Sequence, residues 1–311
     1  MRPAARPRRI GVLGCADIAR RRMLPSMARQ PLVRLAAVAS RDAGRAAAFA
    51  AEFGCAAVTG YDALLARDDI DAVYLPLPPA LHVRWSLRAL EAGKHVLCEK
   101  PFAPDAVQAR LAVDAARKHG LLLMESFMFL HHAQHAEVLR LLGSGAIGEL
   151  RSVTAEFAIP RLASGALAST LPEVGAYPVR AAQLLAGSEL AVLGAGSGET
   201  YGSALLATPQ GVTVHLTHGL DHAYRNRYAL WGSGGRISLD RAYSTPDDHV
   251  PVIHLERGGS REHLTLPPDS QFTNVIGAFA RAVADGTGFE RAAQDIMRQA
   301  ELMDLVGAGA I

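Results

Sequence analysis

An alternation in the first ~125 residues limits most strictly how this chain can fold. Short apolar runs at Ile10–Leu13, Leu35–Ala39, Ala72–Leu77, His95–Cys98 and Leu121–Met124 are separated by stretches with apolar residues three and four apart. Those stretches are Ile18–Gln30, Ala43–Phe53, Leu81–Glu91 and Asp105–His119. Gly54, Gly93 and Gly120 sit where helices end in a left-handed residue. Strands that are apolar on both sides must be covered on both faces, which is the condition of a parallel sheet between two helix layers. The pattern predicts a doubly wound α/β domain over residues 1–125.

The periodicity then changes. A helix is expected over His132–Leu142, closed by Gly145 to Gly148, followed by a two-residue alternation over Glu149–Ile159. Pro178 suits the first position of a helix that ends near Gly187. Strand candidates follow at Ala191–Ala195, Ser203–Ala207, Val212–Thr217, Tyr228–Trp231, Arg236–Leu239, Val252–Glu256 and Glu262–Leu266, some joined by hairpin-length loops. Helices at Gln271–Ala284 and Ala292–Gly307 finish the chain. Residues 126–311 therefore read as an α+β domain with a largely antiparallel sheet.

Net charge is only +2 over 311 residues, and the arginines are dispersed apart from Arg6 to Arg9 and Arg20 to Arg22. Such a surface has no field strong enough to gather nucleic acid or an anionic membrane. No stretch approaches the ~20 apolar residues of a membrane span. The amino terminus is basic, but its apolar stretch is too short for a secretory signal, so a disordered tail leading into the first strand is expected. Cys15, Cys55 and Cys98 are odd in number and lack metal-ligand spacing, which fits a reducing, cytoplasmic compartment.

The first strand runs into Gly14-Cys15-Ala16-Asp17-Ile18-Ala19, a G-x-A-x-x-A form of the dinucleotide fingerprint. Gly14 permits a tight turn, Ala16 a close backbone approach to a pyrophosphate, and Ala19 packing of helix on sheet. The free N–H groups of the following helix, from Asp17 and Ile18 onward, face where phosphate would lie. The second strand ends at Ser40-Arg41. A hydroxyl and a guanidinium there, with Arg45 one turn on, suit a ribose 2′-phosphate and favour NADP(H); Ser40 as a helix N-cap is the alternative. Leu75-Pro76-Leu77-Pro78-Pro79 forms a stiff loop at the carboxyl edge of the sheet, placing Leu77 and Pro78 beside the cofactor, with His82 as a further contact or a surface histidine.

Of 32 Lys+Arg, only Lys94, Lys100 and Lys118 are lysines. Lys94 and Lys118 read as solvated cations at helix ends. Lys100 differs, because it stands between Glu99 and Pro101 directly after the apolar run His95–Cys98, off the carboxyl end of a strand. Lysine can pass a proton at a shifted pKa, which arginine cannot.

The softened glycine turn, "PLPPALH", "EKP" and a Gly-x-Tyr ahead of a helix near residue 177 together resemble the Gfo/Idh/MocA oxidoreductases. Within that family "GCADIARR", "LCEKPF", "LLLMESFMFLHHAQH" and "AYPVRAAQLL" look most like the NDP-hexose 3-ketoreductases of deoxysugar pathways. The resemblance implies a Rossmann domain and a second α/β domain with a large open-faced sheet. It implies that Lys100, with Glu99, lies near the nicotinamide and that Tyr177 is the proton donor. Hydride addition to a ketone leaves an alkoxide to be protonated, and a nearby cation makes a phenol a less reluctant acid. Phe127 and Phe129 read as core or cleft wall, Glu173 as part of the substrate wall, and Arg180 as a contact to a diphosphate or a plain surface cation; the substrate would be a nucleotide-linked keto-deoxyhexose reduced at C3. A homodimer or homotetramer would cover the sheet. Glu173 stands where relatives carry aspartate, Ser126 where asparagine is common, and "RLASGALASTLP" is short and lacks a Gly-Gly pair. Two readings therefore remain beside the first: an NADP enzyme of a free sugar, polyol or cyclic diol, and a catalytically lapsed cofactor binder. His131, His132 and His135 with Glu137 have a loose metal-like spacing, but no metal is expected. Tyr224, Arg225 and Asn226 form a polar connection that would reach the nucleotide.

Overall fold

The computed structural model describes residues 6–160 and 171–309. The first five residues of the expected basic tail, and most of the shortened loop before Glu173, lie outside them. The described chain divides into two compact units, residues 1–128 with 272–300 and residues 129–271 with 301–311.

In the first unit the elements are β1 (Arg8–Leu13), α1 (Leu24–Arg29), β2 (Val33–Ser40), α2 (Ala43–Phe53), β3 (Ala56–Thr59), α3 (Tyr61–Leu65), β4 (Ala72–Leu75), α4 (His82–Glu91), β5 (His95–Cys98), α5 (Ala106–His119) and β6 (Leu123–Glu125). The sheet is wholly parallel in the order β3-β2-β1-β4-β5-β6. Successive strand residues serve opposite cores. Leu13, Ala39, Val73, Leu75, Val96 and Cys98 pack on one face, whereas Val12, Val38, Ala72, Tyr74 and Leu97 pack on the other. Strand order reverses at β1, so the chain leaves β1 and β4 in opposite directions and opens a crevice at their carboxyl ends.

Two elements of this sheet were not foreseen. β3 is a short edge strand whose residues alternate between exposed and half-buried, so it lacks the continuous apolar run of its neighbours. α3 has only five residues, too few for a helical period to emerge. Lys94 is another departure from expectation: it is buried, and its ammonium donates to the carbonyls of Arg67 (2.8 Å) and Ile70 (2.9 Å). It holds the turn before β4, where water could no longer satisfy those carbonyls.

The second unit contains α6 (Ala133–Gly143), β7 (Leu150–Ile159), α7 (Ala176–Ala186), β8 (Ala191–Ser197), β9 (Tyr201–Ala207), β10 (Thr213–Leu220), β11 (Arg225–Gly232), β12 (Gly235–Asp240), β13 (Val252–Arg257) and β14 (Ser260–Thr265). They build an eight-stranded sheet in the order β14-β13-β12-β11-β7-β10-β9-β8. Only β7 and β10 pair in parallel; every other pair is antiparallel. Alternate residues such as Val153, Ala155 and Phe157 turn inward and are buried.

The helix at Tyr177 begins earlier than the proline suggests. A π-turn at Leu171–Gly175 runs directly into α7, placing Tyr177 and Pro178 inside continuous helix. Pro178 lacks the N–H that would bond back a turn and its ring needs room against the preceding carbonyls, which a widened turn provides. The same device precedes Pro25, where a π-turn at Ala19–Met23 leads into α1.

α8 (Gln271–Asp285) and α9 (Phe289–Gly307) close the chain. Phe272, Val275, Ile276, Phe279 and Val283 belong to the core on one face of the parallel sheet, and Ala293, Ile296, Met297 and Ala300 to the core on the other. The assignment of all of 126–311 to one domain is corrected accordingly: residues 272–300 pack with the first unit. Amphipathic helices announce that they have an apolar face but not which core receives it.

Candidate active site

At the crevice above β1 and β4, Gly14, Cys15, Ala16, Ser40, Arg41, Asp42, Arg45, Tyr61, Pro76, Leu77 and Pro78 line one cleft of about 580 Å³. Gly14 has φ +112°, and a Cβ there would fall 2.8 Å from the Leu77 Cδ2 atom. Both the backbone angle and the wall therefore demand glycine. The turn is fastened from two sides: Gly14 N–H donates to Ala39 O (2.9 Å), and the Arg45 guanidinium donates to Cys15 O (2.5 Å). Burial raises the Cys15 thiol, against the opposing charge of Arg45, so it is not a ready nucleophile.

Asp42, and not Ser40, caps α2, accepting from Arg45 N–H at 2.7 Å. Ser40 is buried and accepts from Asp42 N–H (3.1 Å). The carboxylate at the tip of β2 is thus committed to a helix terminus, while Arg41 is exposed beside the cleft. Asp17, exposed and paired with Arg21, and Ile18, packed on the core, do not line the cleft.

Glu99 and Lys100 follow β5 and are each half-buried. Tyr74 O–H donates to Glu99 Oε1 at 2.7 Å. Glu99 keeps some accessible surface, but the packing around its carboxyl group is dense enough that desolvation raises its pKa. Tyr74, Lys100 and neighbouring donors oppose that rise. Ser126 is buried just past β6, and its hydroxyl meets no partner at hydrogen-bonding geometry. The histidine expected to reach ligand does not do so. His82 is fully buried, with Nε2 2.7 Å from Leu77 O and Nδ1 2.8 Å from Pro101 O. Phe127 is likewise a core residue of this unit.

In the second unit, Tyr177 is buried in an aromatic cluster. Its ring centroid lies 4.9 Å from Phe157, edge to face, and 5.9 Å from both Phe129 and Tyr243. These contacts fix the orientation of the ring. Arg180, one turn on, is buried and not a plain surface cation; it donates to Gln183 Oε1 at 3.1 Å. Glu173 is half-buried in the π-turn. Tyr177 therefore lies within continuous helix and not at a helix amino end.

The histidines of α6 are consumed by structure. His132 caps the helix through Gln134 N–H (3.2 Å). His135 lies between the Tyr228 hydroxyl and Ala242 O, both at 2.9 Å; Nε2 donates to the carbonyl and Nδ1 accepts from the phenol. Burial holds its pKa down to about 3, so the ring is neutral. Among the described residues no group of three or more His, Cys, Asp or Glu has a metal-binding arrangement. Asn226 is buried and gives its side chain to Tyr243 N–H (2.7 Å) and the Tyr224 hydroxyl (2.9 Å). Arg241, which the sequence did not single out, stacks 5.2 Å over Tyr224 with φ +53°.

Residues 8–127 match the model of an oxidoreductase family with an NAD-binding Rossmann fold, GFO/IDH/MocA. The chain is 47% identical to a dTDP-3,4-didehydro-2,6-dideoxy-alpha-D-glucose 3-reductase of Actinomadura kijaniata, over 98% of this chain and 96% of the relative. The enzyme of that name from Streptomyces violaceoruber is 46% identical over 96% and 94%. The chain belongs to the GFO/IDH/MocA oxidoreductase family. Among solved structures, KijD10, a 3-ketoreductase from A. kijaniata in complex with NADP and TDP-benzene, superposes with a TM-score of 0.92. It is 46% identical, and 98% of each chain is covered. KijD10 has also been crystallised, with the same two ligands, as a lysine-to-alanine and a tyrosine-to-phenylalanine variant.

Tyr61, Pro76 and Asp42 were missed by the sequence reading. Pro76 could have been inferred from its neighbours in the proline loop. Tyr61 could not, because it comes from the short helix that periodicity does not reveal; its ring packs edge-on at 4.9 Å to Trp85. No helix among the described residues is long and apolar enough to cross a membrane.

Proposed function

We propose that this oxidoreductase uses NADPH to reduce the C3 ketone of a dTDP-linked keto-deoxyhexose. The carrying observation is likeness along almost the whole chain, at 46–47% identity, to 3-ketoreductases, one of them solved with NADP and TDP-benzene. NADP fits the residues present. The glycine turn leaves a cradle that a Cβ would fill. Ser40 and the exposed Arg41 stand where a 2′-phosphate would be met, and Asp42 is engaged by its own helix.

When bound, NADPH supplies the hydride. The chain has to orient the ketone, stabilise the alkoxide and deliver a proton. We assign the proton to the Tyr177 hydroxyl and the electrostatic part to Lys100, whose ammonium favours both the alkoxide and a phenolate. We read Glu173 and Arg180, which share one helical segment with Tyr177, as part of the substrate wall, with Phe129 packed against the tyrosine ring. A lysine and a tyrosine are also the residues replaced in the KijD10 variants.

The open positions of the eight-stranded sheet include Leu193, Tyr201, Leu205 and Trp231. We take a homodimer or homotetramer covering them as the working assembly. Calorimetry with dTDP in the presence of NADP tests the substrate assignment. Binding at micromolar to sub-millimolar concentration is expected, and the melting temperature should rise by mass action. No binding at millimolar dTDP, with turnover of a free sugar or diol, would replace this reading.

A further inference from the structure

We propose that His82 is a positioning residue: its ring pins the loop that walls the cofactor cleft to the strand end that carries Lys100. The proposal rests on the cofactor and lysine assignments above and adds a part that neither contains.

The ladder between β4 and β5 ends at Leu75 and Cys98, with one more bond from Glu99 N–H to Leu75 O (3.1 Å). Past that point the two chains diverge, as they must where a parallel sheet opens to hold a ligand. One turns into the proline loop, and the other continues through Lys100 and Pro101. The His82 ring spans the gap. Nε2 meets Leu77 O at 2.7 Å and Nδ1 meets Pro101 O at 2.8 Å, with no part of the residue exposed.

Each end of this bridge touches a functional element. Leu77 lines the cleft, and its side chain occupies the space that a Cβ on Gly14 would need. Pro101 is bonded to Lys100, and the next residue is held from the other side by Phe102 N–H donating to Glu125 Oε1 (2.8 Å). The lysine therefore stands on a segment clamped from both sides. His82 provides the clamp that also reaches the cofactor wall.

Both partners of the ring are carbonyl oxygens, which only accept. Burial lowers the pKa of the ring and favours its neutral form, which carries one N–H; it therefore donates to one of the two carbonyls while its other nitrogen lies against the second, and a replacement must donate to do this work. Buried carbonyls deprived of a donor in this crevice would be drawn toward water, and the loop and the lysine segment would lose their common reference.

Two replacements separate positioning from packing. His82→Phe keeps a planar ring and removes the N–H donor; His82→Gln keeps an amide that can donate. NADPH affinity is measured by fluorescence, and turnover by reduction of a dTDP-linked 3-ketosugar, on variants checked for cooperative melting. The Phe variant should bind NADPH about tenfold more weakly, and kcat should also fall about tenfold, the size of losing the one buried hydrogen bond that ties the two elements to a common ring. The Gln variant should recover most of both. A Phe variant matching the parent in affinity and kcat overturns the proposal, as does a Gln variant that folds normally yet is as impaired as Phe. Should the Phe variant fail to fold, the unsubstituted protein decides: NADPH should shift the resonances of both ring nitrogens in 15N-histidine-labelled protein, and unchanged resonances overturn it. A parent that binds NADPH but leaves the ketosugar unreduced faults the substrate assignment alone; His82 is then judged on NADPH affinity.

Discussion

The parallel-sheet unit and the eight-stranded unit present their functional groups in different ways. In the first, Gly14, Ser40, Leu77 and Lys100 all come off the carboxyl ends of parallel strands, so one geometric rule delivers them together. In the second, Tyr177 comes off a helix entered through a π-turn and is held by rings from three separate segments: Phe129, Phe157 and Tyr243. The first arrangement depends on the direction of the parallel strands and the backbone hydrogen bonds between them. The second depends on ring packing.

The largest expected effect would test whether each unit supplies a chemical group. Tyr177→Phe keeps the ring in its cluster and removes the hydroxyl, so folding and NADPH affinity should survive while turnover falls roughly 10²–10⁴-fold. Lys100→Met should fall at least as far, and the double variant should be little worse than the weaker single one if the two act as a unit. Near-normal turnover of Tyr177→Phe would break the comparison, leaving the second unit to supply only shape.

Next in size is cofactor choice. Arg41→Ala should weaken NADPH roughly ten- to a hundredfold and leave NADH nearly unchanged, as loss of a charge-assisted contact to the 2′-phosphate requires. Equal losses for both cofactors in a binding titration would move that contact elsewhere, with Arg45 the first place to look.

Lys94 tests the claim that the first unit rests on backbone satisfaction. Lys94→Met fills similar volume but deprives two carbonyls of their donor. A loss of about 1–3 kcal/mol in chemical denaturation is expected, with kcat unchanged. Unaltered stability would show that water reaches that turn after all.

The smallest effect concerns the seam where β1 and β4 begin. Burial would raise the Asp71 carboxyl, but hydrogen bonds from the Arg9 backbone and guanidinium (2.8 and 2.7 Å) and the charges of Arg9 and Arg6 hold it down to about 2. A carboxylate with a depressed pKa contributes stability above its unfolded value near 3.8, and the contribution is lost as pH falls toward 2. Asp71→Asn should therefore lower stability at neutral pH by less than about 2 kcal/mol and flatten the acid-unfolding curve between pH 4 and 2.

The sequence disclosed the two units unequally. Apolar runs located β1, β2, β4, β5 and β6, because a strand buried on both faces has no polar alternation to confuse it. Alternation likewise located the antiparallel strands, although β10 continues to Leu220 and β11 starts at Arg225, beyond the stretches that alternate cleanly. Eight candidate cofactor residues do line one cleft, since the glycine turn and strand tips follow from chain direction alone. His82 and Lys94 were misplaced for a shared reason: composition tells that a side chain is polar, but only the fold tells whether buried carbonyls await it. Pro178 misled in another way, because a proline marks a helix start unless a π-turn accommodates it.

The discontinuity of the first unit also bears on how the chain acquires its fold. Phe272, Val275, Ile276 and Phe279 complete one of the two cores of the parallel sheet, yet they are synthesised after the whole of β7 to β14. At ~5–20 residues per second, the β1–β6 sheet emerges from the ribosome on the order of ten seconds before the helix that covers its apolar face. During that interval the nascent parallel-sheet unit is an incomplete body exposing Val12, Val38 and Leu97. A fragment ending at residue 128 should then be a poor folder, however Rossmann-like its sequence, and chaperone demand should be concentrated in the stretch of synthesis between residues 128 and 300.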